Sequence, residues 1–218
     1  MKLKWSPDDK FIMCINSRNH IVHLRSLTEE AIENNLEGWT GTIQEDLLAT
    51  ACWSSDSRAV LVFSEMQLCA TVWSLSEQQP VARFESPKLL PPKGLDFSSN
   101  GMFMAMLQKI GAEMKTVVSI FYAGNDWKLT NQFEIPEIYD AVDCKWVMNN
   151  TAIMVQDNPL ESSFVIYAAM TGSKIVQHNP EANMGLGIRT LSQSPNSKML
   201  ACGIYDTNLV LYNTMTQI

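Results

Sequence analysis

The 218 residues predict an all-β fold of repeated small sheets, and three observations carry that reading. A motif recurs at nearly constant spacing, it contains hairpin-type turn residues, and a short apolar run flanks each turn. The motif reads Trp5-Ser-Pro-Asp-Asp-Lys-Phe-Ile12, then Trp53-Ser-Ser-Asp-Ser-Arg-Ala-Val60, then Phe97-Ser-Ser-Asn-Gly-Met-Phe-Met104. Two further copies are Trp146-Val-Met-Asn-Asn-Thr-Ala-Ile153 and Gln193-Ser-Pro-Asn-Ser-Lys-Met-Leu200, so successive copies start 48, 44, 49 and 47 residues apart.

Each element of the repeat has a physical reason. Pro fixes φ, Asp or Asn caps the turn through its side chain, and Gly accepts positive φ. By this symmetry Asp8, Asp56, Asn100, Asn149 and Asn196 are turn caps. The turn joins a strand ending at the aromatic to a second strand, such as Phe11–Ile15 or Met199–Gly203. A third strand follows in His20–Leu24, Cys69–Leu75, Val117–Tyr122, Phe164–Ala168 and Leu209–Asn213. A weaker fourth comes next, for example Val81–Phe84, Leu129–Ile135 and Lys174–Gln177. Four short strands per 44–49 residues is the blade of a β-propeller.

The expected fold is therefore a WD40-type propeller region filling residues 1–218, with about five four-stranded blades near 1–35, 36–80, 81–130, 131–177 and 178–218. Only Thr28–Leu36 is composed like a helical turn. Trp5, Trp53, Phe97 and Trp146 are expected to fill the space between neighbouring blades, where a large flat side chain buries most area. Met1 stands four residues before Trp5, and Thr214–Ile218 offers only the start of a fourth strand. An incomplete ring is expected from this, with a closed five-bladed ring as the alternative.

Composition narrows the function classes. Hydrophobic residues make up 46% and charged residues only 18%, as in a chain with a sizeable core. The net charge of −7, with scattered Lys and Arg, argues against nucleic acid and an anionic membrane as partners. No apolar run reaches the roughly 18 residues that span a bilayer, and no signal-peptide core follows Met1. Cys14, Cys52, Cys69, Cys144 and Cys202 form no C-x-x-C pair and lie in apolar runs, the pattern of reduced, buried thiols. The Asn149 sequon reads as a turn.

The blade Leu47-Leu-Ala-Thr-Ala-Cys-Trp-Ser-Ser-Asp-Ser-Arg58, with Thr71-Val-Trp-Ser-Leu75, resembles the WD repeat-containing protein 8 family of centrosomes and spindle poles. Val118–Phe121 with Asn125–Leu129, Leu186–Arg189 with Ser194–Ala201, and Gly203–Asp206 with Leu209–Asn213 extend the resemblance collinearly from Trp5 to about Asn213. Gln193 departs from it by replacing the aromatic. The resemblance implies a scaffold that anchors microtubule minus ends and supports spindle organisation and ciliogenesis. It implies as partners a coiled-coil adaptor of the afadin- and alpha-actinin-binding type and a minus-end-directed kinesin. A generic cytosolic WD adaptor in trafficking, RNA processing or ubiquitin ligase assembly is the alternative.

No catalytic, cofactor or metal site is expected. His20 and His23, three apart on an expected strand, point to opposite faces and cannot share a metal. Gly185-Leu-Gly187 lacks the Lys-Ser/Thr and following helix of a phosphate loop and reads as a turn. Partner contact is expected on the loops between second and third strands and between blades. There Tyr205, with Asp206 beside it, combines apolar area with a polar tip, and Trp39 and Trp127 are the further aromatic candidates.

Overall fold

A computed structural model describes residues 1–27, 40–124, 126–159, 163–178, 188–194, 198–204 and 209–216. The expected helical turn at Thr28–Leu36, the cap Asn196 and the Gly185–Gly187 turn lie outside them. The chain forms two compact units, Met1–Pro92 and Lys93–Ile218.

The first unit holds two antiparallel four-stranded sheets. One comprises β1 (Lys2–Trp5), β2 (Phe11–Asn16), β3 (Ile21–Ser26) and β4 (Thr40–Gln44). The other comprises β5 (Leu48–Trp53), β6 (Ala59–Ser64), β7 (Cys69–Ser74) and β8 (Gln79–Glu85). Met13, Ile15, Val22, Leu24, Ile43, Leu48, Ala51, Trp53, Val60 and Val62 form one apolar cluster that joins them.

The second unit begins with β9 (Leu95–Phe97), β10 (Phe103–Ile110), β11 (Lys115–Tyr122) and β12 (Lys128–Glu134) in one sheet. Next come β13 (Asp143–Val147), β14 (Ala152–Gln156), β15 (Phe164–Ala168) and β16 (Lys174–His178). Among the described residues the last sheet has three strands, β17 (Ile188–Gln193), β18 (Met199–Ile204) and β19 (Leu209–Asn213). Val147, Met154, Phe164 and Ile166 of the fourth sheet share a core with Ile188, Leu200, Cys202 and Tyr212 of the fifth.

The repeat governs the register. In every sheet the motif's first residue pairs with the same position of the second strand: Trp5 with Ile12, Trp53 with Val60, Phe97 with Met104, Trp146 with Ile153 and Gln193 with Leu200. The turns behave as their residues demand. The Oγ of Ser6, Ser54 and Ser98 donates to Asp8, Asp56 and Asn100 at 2.6, 2.6 and 2.7 Å. The same oxygens accept the backbone N–H of Phe11, Ala59 and Phe103. Gly101 sits at φ 71°, and Asp9 and Ser57 hold the matching left-handed position at 59° and 61°.

The fourth turn is built differently. Met148, Asn149 and Asn150 all take left-handed φ, and the side-chain bonds come from Asn150 rather than the expected cap Asn149. The physical reason is the missing serine: Val147 stands where Ser6, Ser54 and Ser98 stand, so no hydroxyl can organise the loop around the next acid or amide. Asn150 instead reaches the third sheet's turn, accepting from Ser99 N–H at 2.9 Å and donating Nδ2 to Ser99 Oγ at 2.7 Å.

Trp53 and Trp146 are 8% and 3% exposed, and Phe97 is half-buried, but Trp5 is 61% exposed. The indole N–H of Trp53 donates to the Lys4 carbonyl and that of Trp146 to the Asp96 carbonyl, so each tryptophan is covered by the first strand of the preceding sheet. Within the first unit no sheet precedes that of Trp5, and its expected burial is not realised there.

Candidate interaction surface

Strands alternate in direction, so the turns divide between two ends of each sheet. First-to-second and third-to-fourth connections share one end. Second-to-third turns and the connections between sheets share the other, and side chains there are free of ladder duty.

In the first unit this loop end is tied together by backbone bonds. Glu45 N–H donates to the His20 carbonyl and Glu65 N–H to that of Leu47. The short 3₁₀ turn Glu65–Gln67 lifts Met66 clear of the sheet at 86% exposure, with Leu47 and Leu68 also exposed. The Trp73 indole donates to Glu45 at 2.9 Å, which fixes the acid beside this surface.

In the second unit the connection between β12 and β13 makes the corresponding end. Tyr139 is 85% exposed while Ile135, Ile138 and Ala141 around it are buried. Beneath it Asp157, only 3% exposed, accepts the N–H groups of Tyr139 and Asp140 at 2.9 and 2.8 Å. Asn158 gives the same carboxylate a third N–H at 2.8 Å. Glu137 receives the Tyr167 hydroxyl at 2.9 Å and pairs with Lys174 at 3.4 Å. Burial pulls the Glu137 carboxyl up, but the donated hydroxyl and the lysine outweigh it and hold the group below the usual glutamate range. Burial and that carboxylate together push the Tyr167 phenol up.

Of the expected contact residues, Trp39, Tyr205 and Asp206 lie outside the described residues. Trp127 is described, and it lies on the turn between β11 and β12, at the end opposite the loops discussed above. It is half-buried at φ 51°, its ring edge-on to Phe97 at 6.4 Å, so much of its face is engaged within its own sheet. Tyr139 was missed from sequence, whereas Met66 falls in a second-to-third turn, Ser64–Gln67, of the kind where contact was expected. The available signal was an aromatic inside an acidic, Pro-started connection between two sheets.

The chemistry elsewhere is that of a folded core. Among the described residues no three of His, Cys, Asp and Glu are grouped to hold a metal. His20 is not on a strand as expected: it takes φ 57° in the turn before β3, because Ser17–His20 must reverse the chain there, and His23 alone sits on β3. Burial pushes the Cys52 thiol up to about 12 and Cys144 well above its ordinary value, so neither is a thiolate at neutral pH. No helix among the described residues is long and apolar enough to cross a membrane.

Consecutive antiparallel four-stranded sheets with this register and these turns are blades of a WD40-type β-propeller, the fold of WD-repeat proteins. The chain is 30% identical over 215 residues to WD repeat-containing protein WRAP73 of Mus musculus, a match covering 98% of this chain and 44% of the relative. The chain thus spans less than half the length of the curated relative it matches. No family model matches. Among solved structures, Kuenenia stuttgartiensis hydrazine synthase shares the fold with TM-score 0.65 at 12% identity, over 97% of this chain and 63% of that one.

Proposed function

We propose that the chain is a non-catalytic scaffold that binds other proteins through the loop ends of its blades, within a centrosomal or spindle-pole complex. In that setting it anchors microtubule minus ends and supports spindle organisation and ciliogenesis. Its partners are a coiled-coil adaptor of the afadin- and alpha-actinin-binding type and a minus-end-directed kinesin, and its place is the cytoskeleton. The observation that carries the scaffold reading is the placement of exposed apolar side chains, Met66 and Tyr139, on connections at the loop ends of their sheets. The spindle-pole assignment is supported by the collinear likeness of non-repeat segments from Trp5 to about Asn213. Tyr205, Asp206, Trp127 and Trp39 remain proposed contacts alongside these. Proximity labelling from the full-length protein in dividing cells tests it. Recovery of γ-tubulin-associated proteins is the expected outcome, and recovery of coat, RNA-processing or ligase subunits instead would overturn the assignment.

A further inference from the structure

Three exposed apolar side chains stand together at the loop end of the second sheet. Leu47, Met66 and Leu68 are 46%, 86% and 54% exposed, on the connection that enters β5 and on the turn between β6 and β7. Backbone bonds hold these two segments side by side. Glu65 N–H donates to the Leu47 carbonyl at 2.5 Å, and the Leu68 carbonyl accepts Ser86 N–H at 2.9 Å. Ser64 Oγ closes the turn at its base, accepting Cys69 N–H at 2.9 Å and donating to the Cys69 carbonyl at 3.1 Å. Leu47 and Met66 hold left-handed φ of 58° and 57°, where glycine or asparagine sits with less strain. Bulky apolar side chains are thus kept at backbone positions that disfavour them, and the sheet does not bury them. Folding alone supplies no reason for a leucine and a methionine there.

The rim of this patch is acidic. Residues 44–47 and 64–69 contain Glu45, Asp46 and Glu65 and no Lys or Arg. Glu45 accepts the Trp73 indole N–H, whereas Asp46 and Glu65 are exposed, and no side-chain hydrogen bond or ion pair among the described residues occupies either carboxylate. Of the first unit's cations at this end, Arg18 lies on the first sheet's turn and Lys88 is buried. Backbone groups around the patch are already taken, among them the Leu47 and Leu68 carbonyls and the N–H groups of Glu65 and Cys69. A partner seated on these side chains must therefore arrive with its own backbone hydrogen bonds made, as a helix does.

We propose that Leu47, Met66 and Leu68, with the Asp46 and Glu65 carboxylates at their rim, dock a basic amphipathic helix of another protein. Aliphatic side chains of that helix, spaced three and four residues apart, cover the three apolar ones. Lysines or arginines beside its stripe face the two free carboxylates. Methionine suits such a surface because its unbranched thioether adjusts to the shape that meets it. A wholly apolar helix would shield the carboxylates from water without an answering charge, and an acidic one would be repelled. The inference rests on the scaffold reading and names the chemistry of one partner surface.

The test uses the full 218-residue chain and fluorescein-labelled peptides of about eighteen residues, about five helical turns long. The first peptide carries a leucine stripe flanked by lysines. The second has the same composition in an order without a stripe, and the third has glutamates in place of the lysines. Anisotropy titrations should show the first peptide binding, more weakly as salt rises, and the other two weaker by about tenfold or more. Met66→Ser and Leu68→Ser should each weaken the first peptide about tenfold, as loss of an interface hot spot does. Asp46→Asn combined with Glu65→Gln should remove most of the salt dependence. Leu47→Gly separates binding from folding: it relieves the left-handed strain, so the melting temperature should equal or exceed the parent's while binding falls. Undiminished binding by Met66→Ser, equal binding of the unstriped or the Glu peptide, or no binding of the first peptide would each overturn the patch. A Leu47→Gly chain that melts lower would do so too, by showing that the leucine serves the fold. Those outcomes leave the scaffold reading to stand or fall on the proximity-labelling result.

Discussion

Gln193 occupies the one repeat position where the aromatic is replaced, yet its Nε2 donates to the Trp146 carbonyl. Trp53 and Trp146 make the equivalent bond with an indole N–H, to the residue before the preceding aromatic. Glutamine thus keeps a donor bond to the preceding sheet's first strand, while Phe97 at the same repeat position fills space without a donor. Gln193→Leu keeps most of the volume and removes the N–H, so unfolding in urea should show a loss of about 1–2 kcal/mol. Trp53→Ala should lose about 3–5 kcal/mol, whereas Trp5→Ala, largely exposed, should change stability by no more than about 1 kcal/mol. The turn caps were legible at this scale because Ser, Asp and Gly each act through local bonds. Asn149 was misread because Val147 removes the hydroxyl on which the pattern depends, a loss visible in the aligned repeats but overridden by the symmetry of the next positions.

Glu137 gives a residue-scale prediction in pH. Its folded carboxyl sits below the ordinary glutamate value, about 4.3, so the ionised form is favoured by folding. The stability it contributes is fully present above that ordinary value and is lost as pH falls through the lower, folded one. Glu137→Gln should therefore be less stable than the parent at neutral pH, and the gap should close on acidification below the usual glutamate range. A gap unchanged between neutral pH and pH 3 would mean that the loss comes from the hydrogen-bond shape and not from charge.

Strands differ in what the sequence reveals of them. β14, Ala-Ile-Met-Val-Gln, is buried at every position, and β12 is exposed at every position but Asn131 and Phe133. Met154→Ala should cost about 2–5 kcal/mol by leaving a cavity. Leu129→Ala on the outer strand should stay within about 0.5 kcal/mol, read from the same denaturation curves. Inner strands were legible because continuous apolar runs bounded by turn residues have few other uses. β4, Thr-Gly-Thr-Ile-Gln, carries no such signal, with Ile43 its only large apolar residue. It forms because β3 offers a ladder edge, pairing Ile21 with Gln44 through Arg25 with Thr40, and that partnership is tertiary. The Tyr139 loop escaped notice for a related reason. What fixes it is Asp157, 18 residues further along the chain on the far side of two strands.

At the scale of the whole chain, charge is the property that composition determines most directly. The net charge is −7 near neutral pH and the isoelectric point is about 5.0. Long-range repulsion between copies is therefore present at pH 7 and fades as pH falls toward 5. With it gone, exposed apolar side chains such as Met66, Tyr139 and Met170 can meet between molecules without an opposing force. Light scattering should rise reversibly as pH is lowered from 7 to 5, while far-ultraviolet circular dichroism stays unchanged. Salt should act in opposite senses at the two ends of that range. At pH 7 it screens repulsion and raises scattering, whereas at pH 5 it screens attraction between oppositely charged patches and lowers it. The triple variant Met66→Ser, Tyr139→Ser, Met170→Ser should blunt the rise at pH 5 with no change in net charge. Scattering that ignores pH, or a triple variant that associates as strongly as the parent, would show that association runs through other surfaces of the blades.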